Sequence, residues 1–199
     1  MKRITATVSL LALFIACCIG SHSCANTTTP PSGGPKDTLP PVLLKVTPEN
    51  GTTGFPLTDG KVTLLYNEYT VVNSKNSGGI LLSPPTPRGR KPTAKVKGRN
   101  IVVTVQDTLR ERQTYTIDFG ETLADNNEGN VAPRFVYVFS TGETVDSMYF
   151  TGSVLNSRTL TPVKNMLVTA YTDLSDSACF KAMPDAVART DDWGFFTIR

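Results

Sequence analysis

From residue 42 to residue 141 the chain is a succession of short apolar runs of period two, each closed by turn residues, and this pattern leaves antiparallel sheet as the way to fold it. Ile101, Val103 and Val105 share one strand face while Thr104 and Gln106 take the other; Tyr115, Ile117 and Phe119 alternate with Thr114, Thr116 and Asp118 in the same way. Further runs lie at 42–46, 62–69, 80–82, 95–97 and 135–141. Between them stand Asn50-Gly51, Gly78-Gly79, Ser83-Pro84-Pro85 and Gly98-Arg99-Asn100, which supply the positive φ or the chain break that a turn needs. No helical period of useful length intervenes. About seven such strands in roughly 100 residues bury one face each by stacking two sheets. The expected core is Leu64, Tyr66, Ile101, Val103, Tyr115, Ile117, Phe119, Tyr137 and Phe139.

The first 40 residues are of a different kind. Lys2 and Arg3 precede a mostly apolar stretch, 4–19, too short for a membrane span of about 20 apolar residues and better suited to a cleaved leader. Cys17, Cys18 and Cys24 compete as the acceptor of a lipid, and Cys24, which opens a Pro/Thr/Gly-rich stretch, is the expected one. Residues 25–40 lack apolar periodicity and read as a tether; extended, they would reach about 50 Å. Acylation at more than one chain is what durable membrane attachment requires.

The run from Cys24 through Pro31-Ser32-Gly33-Gly34-Pro35-Lys36-Asp37 to Pro40-Pro41 resembles the mature start of a family of Bacteroidetes lipoproteins with an N-terminal bacterial Ig-like domain. Tyr115-Thr116-Ile117-Asp118-Phe119-Gly120, Asp125-Asn126-Asn127-Glu128-Gly129-Asn130 and Tyr137-Val138-Phe139-Ser140-Thr141-Gly142 resemble the second half of that domain. Phe150-Thr151-Gly152-Ser153-Val154, Val168-Thr169-Ala170-Tyr171 and Gly194-Phe195-Phe196-Thr197-Ile198 are similar to the opening of a carboxypeptidase regulatory-like, transthyretin-type sandwich. The resemblances imply an all-β chain: an Ig-like antiparallel β-sandwich followed by an incomplete second β-sandwich. The expected divisions are a lipoprotein signal peptide (1–23), the tether (24–40), the Ig-like domain (41–145) and a partial second sandwich (146–199), whose later strands are missing before Arg199.

Chemistry is constrained mainly by what the expected mature chain lacks. The single histidine is His22, inside the expected leader, so Ser-His-Asp and Cys-His catalysis have no base. Cys179 would be the one thiol left beside an acylated Cys24, without a histidine to activate it, and is expected as a half-buried small residue. Glu68, Asp118, Glu121 and Asp125 are acidic candidates for a carboxylate pair, but on strands and turns they are expected to face solvent or form turns. Counted from Asp125 the loop places its glycine fifth, not sixth, so it is not an EF-hand; a looser oxygen cage around Asp125 and Asn127 stands against a polar turn with Asx hydrogen bonds. Asp-Ser/Thr-apolar triplets at Thr38 and Ser147 are similar to the O-glycosylation signal of exported Bacteroidetes proteins.

Charge excludes one class of partner. The chain carries 20 Lys+Arg against 17 Asp+Glu, and losing Lys2 and Arg3 leaves 18 against 17, so bulk attraction to nucleic acid is not expected. A basic cluster at Arg88, Arg90, Lys91, Lys95, Lys97, Arg99, Arg110 and Arg112 suits anionic headgroups, acidic glycans or a solvated sheet edge, with Lys95 and Lys97 outward and Ala94 and Val96 inward. The expectation is a non-enzymatic, cofactor-free cell-envelope lipoprotein at the outer membrane. It is held by its lipid anchor, and its Ig-like sandwich acts as a spacer or binding module for envelope protein or glycan. The alternative is the N-terminal fragment of a larger envelope glycan-processing or accessory enzyme. No oligomeric state follows from the sequence.

Overall fold

A computed structural model describes residues 34–73 and 79–199, so the leader and Cys24 lie outside the described residues. Two antiparallel sheets carry the first part of the chain. One is four-stranded, in the order β1 (Leu43–Thr47), β2 (Lys61–Tyr66), β6 (Asn100–Thr104), β5 (Thr93–Lys97). The other is three-stranded, in the order β4 (Leu81–Ser83), β7 (Thr114–Asp118), β9 (Val136–Ser140). A short ladder of β3 (Thr70–Val72) and β8 (Leu123–Asp125) stands apart from both.

The period-two pattern decides what lies between the sheets. Leu64, Ile101, Val103, Tyr115, Ile117, Tyr137 and Phe139 are fully buried, and Tyr66 and Phe119 nearly so, as the alternation predicts. Phe139 is the hub: its ring centroid lies 4.1 Å from Phe55, 5.5 Å from Tyr115 and 5.8 Å from Tyr137. With no disulfide among the described residues, the sheets are joined by the buried apolar cluster that these rings share with Val62, Leu64, Tyr66, Ile101 and Val103. Burial pushes the Tyr66 and Tyr137 phenols up to about 12, so both stay protonated. The Tyr115 hydroxyl accepts the Arg110 N–H at 2.8 Å, tying the crossing before β7 back onto the core, the role of a tyrosine corner.

Two departures from the strand reading have local causes. The run 62–69 breaks after Tyr66 because Asn67 turns back to β1, its N–H bonded to Val42 O at 3.1 Å and its Oδ1 accepting Val42 N–H at 2.7 Å. Val96 pairs with Ile101 on the inner side as expected, yet stays 46% exposed, because β5 is the outer strand of a four-stranded sheet faced by only three.

Beyond residue 145 two further antiparallel pairs form, β10 (Phe150–Ser153) with β13 (Phe195–Ile198) and β11 (Leu167–Ala170) with β12 (Ala186–Arg189), plus one helical turn, α1 (Ala178–Lys181). These strands are not left standing alone. All four residues of β12 are buried, and the strand lies against β4, where Val187 N–H donates to Ser83 Oγ at 3.0 Å. Asp37–Arg199 accordingly forms one unit by its internal contacts. Phe150 and Phe195 nevertheless remain 64% and 58% exposed.

Phe139→Ala should lower stability by about 3–5 kcal/mol, read as a shift in the urea midpoint at unchanged slope. A midpoint within error of the parent would show that the ring is not the hub of the core.

Candidate functional site

The richest polar constellation sits where β12 meets the outer face of the β4-β7-β9 sheet. Alternation on β7 sends Ile117 inward and Asp118 outward, toward Arg134 just ahead of β9. Arg134 grips that carboxylate with both arms, Nε to Oδ1 at 3.1 Å and Nη2 to Oδ2 at 2.7 Å, and Gly120 N–H adds a third bond to Oδ1 at 2.8 Å. Nη2 also donates to Arg189 O on β12 at 2.8 Å, so one guanidinium holds both halves of the chain.

Arg189 itself is 6% exposed. Its Nη2 donates to Gly79 O at 3.1 Å, while Nη1 has no hydrogen-bond partner among the described residues. This arm lies over Gly120, 2.5 Å from where a Cβ would stand, and Gly120 has φ +50°, so residue 120 is a glycine for two reasons. Beside it Lys164 bridges Glu121 and, at 2.6 Å, Asp192; the Asp192 and Glu121 carboxylates hold the ammonium up at about 12.

Between the sheet and β13 a cleft of about 410 Å³ remains. Leu81, Val136 and Val138 form one wall and Phe195 and Phe196 the other, with Asn50, Thr116 and Arg199 at hand as polar groups. Asp118 and Arg134 line it too, but both are engaged with each other. The arrangement offers apolar contact and a few hydrogen bonds, which suits binding or joining.

The Asp125 loop takes the form of the polar turn. Asp125 Oδ1 accepts the N–H groups of Asn127, Glu128 and Gly129 at 2.7, 2.6 and 3.1 Å, and Oδ2 accepts Asn130 N–H at 2.8 Å. Donors surround the carboxylate where a cation would need acceptors, Asn127 is exposed, and no cluster of His, Cys, Asp or Glu suited to a metal occurs among the described residues. Burial pushes the Asp125 carboxyl up, but these four donors outweigh it and hold it at about 2. The caged turn has a use: it presents Asn130, whose Nδ2 donates to Asp37 O at 3.0 Å and Leu39 O at 3.2 Å. The incoming chain is thus fastened from residue 37, inside the stretch expected as free tether.

Other expected sites are placed plainly. Thr38 and Ser147 are exposed, each in an Asx turn in which Asp37 Oδ1 accepts Leu39 N–H at 2.9 Å and Asp146 Oδ1 accepts Met148 N–H at 2.8 Å. Cys179 is exposed on α1, not half-buried, because the single turn buries only Ala178. Asp118 is buried, 6% exposed, where a solvent-facing or turn position was expected, because Arg134 encloses it; Asp125 forms a turn, the second of those expectations, and is buried by its own donors, 3% exposed. Sequence reasoning missed Arg134 and Arg189 as the centre of the junction.

Residues 37–141 match the family described as bacterial Ig-like domain, more than half of the chain. The chain belongs to that family. No curated protein matches it. Among solved structures, an L,D-transpeptidase from Mycobacterium smegmatis aligns at 12% identity and a TM-score of 0.33, covering 81% of this chain and 76% of that one; a likeness so slight carries no argument. The junction therefore joins the bacterial Ig-like domain to the strands that follow it.

Arg134→Ala should cost about 3–5 kcal/mol, because it leaves a buried carboxylate without its cation. Amide exchange should accelerate first in β12, before the Ig-like core responds. Equal acceleration in both would show that Arg134 supports the core and not the junction. Asp125 supplies a pH test. Its folded pKa of about 2 lies below the ordinary 3.8, so its stabilisation is complete above pH ~4 and is lost as pH falls through ~2. The Glu128 and Gly129 amide shifts should titrate with a midpoint near 2, and a midpoint near 4 would mean that the cage does not hold in solution.

Proposed function

We propose that this chain is a lipid-anchored cell-envelope protein whose bacterial Ig-like domain is a non-catalytic spacer and binding module. The proposed parts are a signal peptide at 1–23, Cys24 as acceptor of the lipid, a tether running to the clamp at Asp37, and strands after 145 that begin a carboxypeptidase regulatory-like sandwich. The supporting observation is Arg134, which bonds Asp118 of the Ig-like sheet and Arg189 O of β12 at once. A module that welds its successor to itself transmits position, as a spacer must, and the adjoining cleft is where a protein or glycan partner would find mixed apolar and polar contact. The outer membrane is the proposed location, and the exposed Thr38 and Ser147 are the proposed O-glycan acceptors.

Metabolic palmitate labelling of the full chain tests the anchor. Label should be lost in Cys24→Ala and kept in Cys17→Ala, with the protein leaving the membrane fraction only in the former. The reverse pattern would move the anchor to Cys17, and no label in the parent would remove the lipoprotein reading.

A further inference from the structure

The junction occupies the outer face of the β4-β7-β9 sheet; the outer face of the β1-β2-β6-β5 sheet carries no strand of the described chain. The register identifies the side chains that point out of it, Thr47 beside Thr63 among them. Lys45 stands across from Leu65, Leu65 across from Asn100, and Asn100 across from Lys97. In the next rows Val102 lies between Thr63 and Lys95, and Thr104 lies between Lys61 and Thr93. Lysines therefore stand on both sides of a central strip of Thr, Asn, Leu65 and Val102, and no acidic residue occupies an outward position on any of the four strands. All four lysines are exposed, and none makes an ion pair among the described residues.

We propose that this face docks on an anionic lipid headgroup surface. Four features of the face favour that occupant. The face is a sheet, with Lys45 and Lys97 three strand spacings apart, about 14 Å, so its charges are spread over a plane and do not line a groove. None of the four lysines lines the cleft beside β13. No aromatic ring stands at an outward position to stack on a sugar, which disfavours a glycan. The cations are lysines, whose flexible stems carry the ammonium into a soft headgroup layer while Leu65 and Val102 supply a modest apolar centre.

Edge protection does not account for the pattern. It explains charge on the outer strands β5 and β1, and at Lys61, two residues before the last β1-paired position Thr63, β2 too is paired on one side only; it does not explain why all four lysines leave the same face with no acidic residue among them. The net charge of the whole chain is only +3, so four unpaired lysines on one face are a concentration of its charge and not a reflection of it. Docking of this kind needs no acyl chain; it is independent of Cys24 and is measured on the unlipidated protein.

The test is co-sedimentation of the full chain with phosphatidylcholine vesicles and with the same vesicles doped with phosphatidylglycerol. Residues 1–33, with Lys2 and Arg3, contribute equally to the parent and to every variant, so the change from parent to variant reads the charged face. Each lysine near such a surface contributes about fivefold in partition. Lys45→Gln/Lys61→Gln and Lys95→Gln/Lys97→Gln should each reduce the anionic preference by about 25-fold, with circular dichroism and binding to neutral vesicles unchanged. Lys181→Gln, off the face, should leave it intact, and added salt should weaken the parent. Equal partition of the parent to both vesicles would overturn the proposal, as would a loss in Lys181→Gln matching that of the face variants. Tight binding to soluble polygalacturonate without anionic-vesicle preference would assign the face to acidic glycan and overturn the lipid assignment.

Discussion

Two sheets with no disulfide among the described residues must be held together by what lies between them, and here that is one buried apolar cluster to which both contribute, Val62, Leu64, Tyr66, Ile101 and Val103 from one and Tyr115, Ile117, Tyr137 and Phe139 from the other. At its centre the Phe139 ring lies against Phe55 from the loop before β2, Tyr115 from β7 and Tyr137 from its own strand, so two other stretches converge on one side chain of β9. Aromatic rings bury large areas with few rotatable bonds, which lets about 100 residues form a core at low entropic cost. The Tyr115 hydroxyl then extends the apolar stack to a polar anchor at Arg110.

The outward faces of the same two sheets have opposite characters. The β4-β7-β9 face bears Ser83 and Asp118 and is taken by β12 through Arg134 and Arg189; the four-stranded face bears lysines and is free of other strands. A charged pair partly removed from water is a weak source of net stability but a strong source of register, because a displaced Arg134 leaves Asp118 buried and unpaired. That logic suits a device that fixes the orientation of one β-unit on the next. The buried Arg189 over Gly120 adds to it, since even a methyl group at residue 120 would meet the guanidinium.

The two most strongly perturbed charged groups of the described chain are both committed to joining its parts. Asp125, the most strongly perturbed carboxylate, has its lone pairs occupied by four backbone N–H donors, and the outcome is a rigid turn that fastens residues 37 and 39. Lys164, perturbed the other way, bridges Glu121 and Asp192 across the same junction. Perturbed groups often mark catalysis, but structural ion-pair networks perturb them equally well, and here each has a joining role.

The nine core positions were legible in the sequence because burial on a strand follows a period of two, which is a property of the chain alone. So were the turns at Asn50-Gly51 and Gly98, and the choice of a polar turn over an EF-hand at Asp125, because both rest on local backbone requirements. Arg134 and Arg189 were not legible, since 55 residues separate them and only the docking of β12 on β4 brings the Arg189 carbonyl to the guanidinium that holds Asp118. Nor was the lysine face: Lys95 and Lys97 announce a charged strand, but Lys45 and Lys61 join them only through the strand order. The sequence by itself determined which way each strand turns its side chains; the tertiary structure decided which strands lie side by side, because that pairing is set by contacts between segments far apart in the chain.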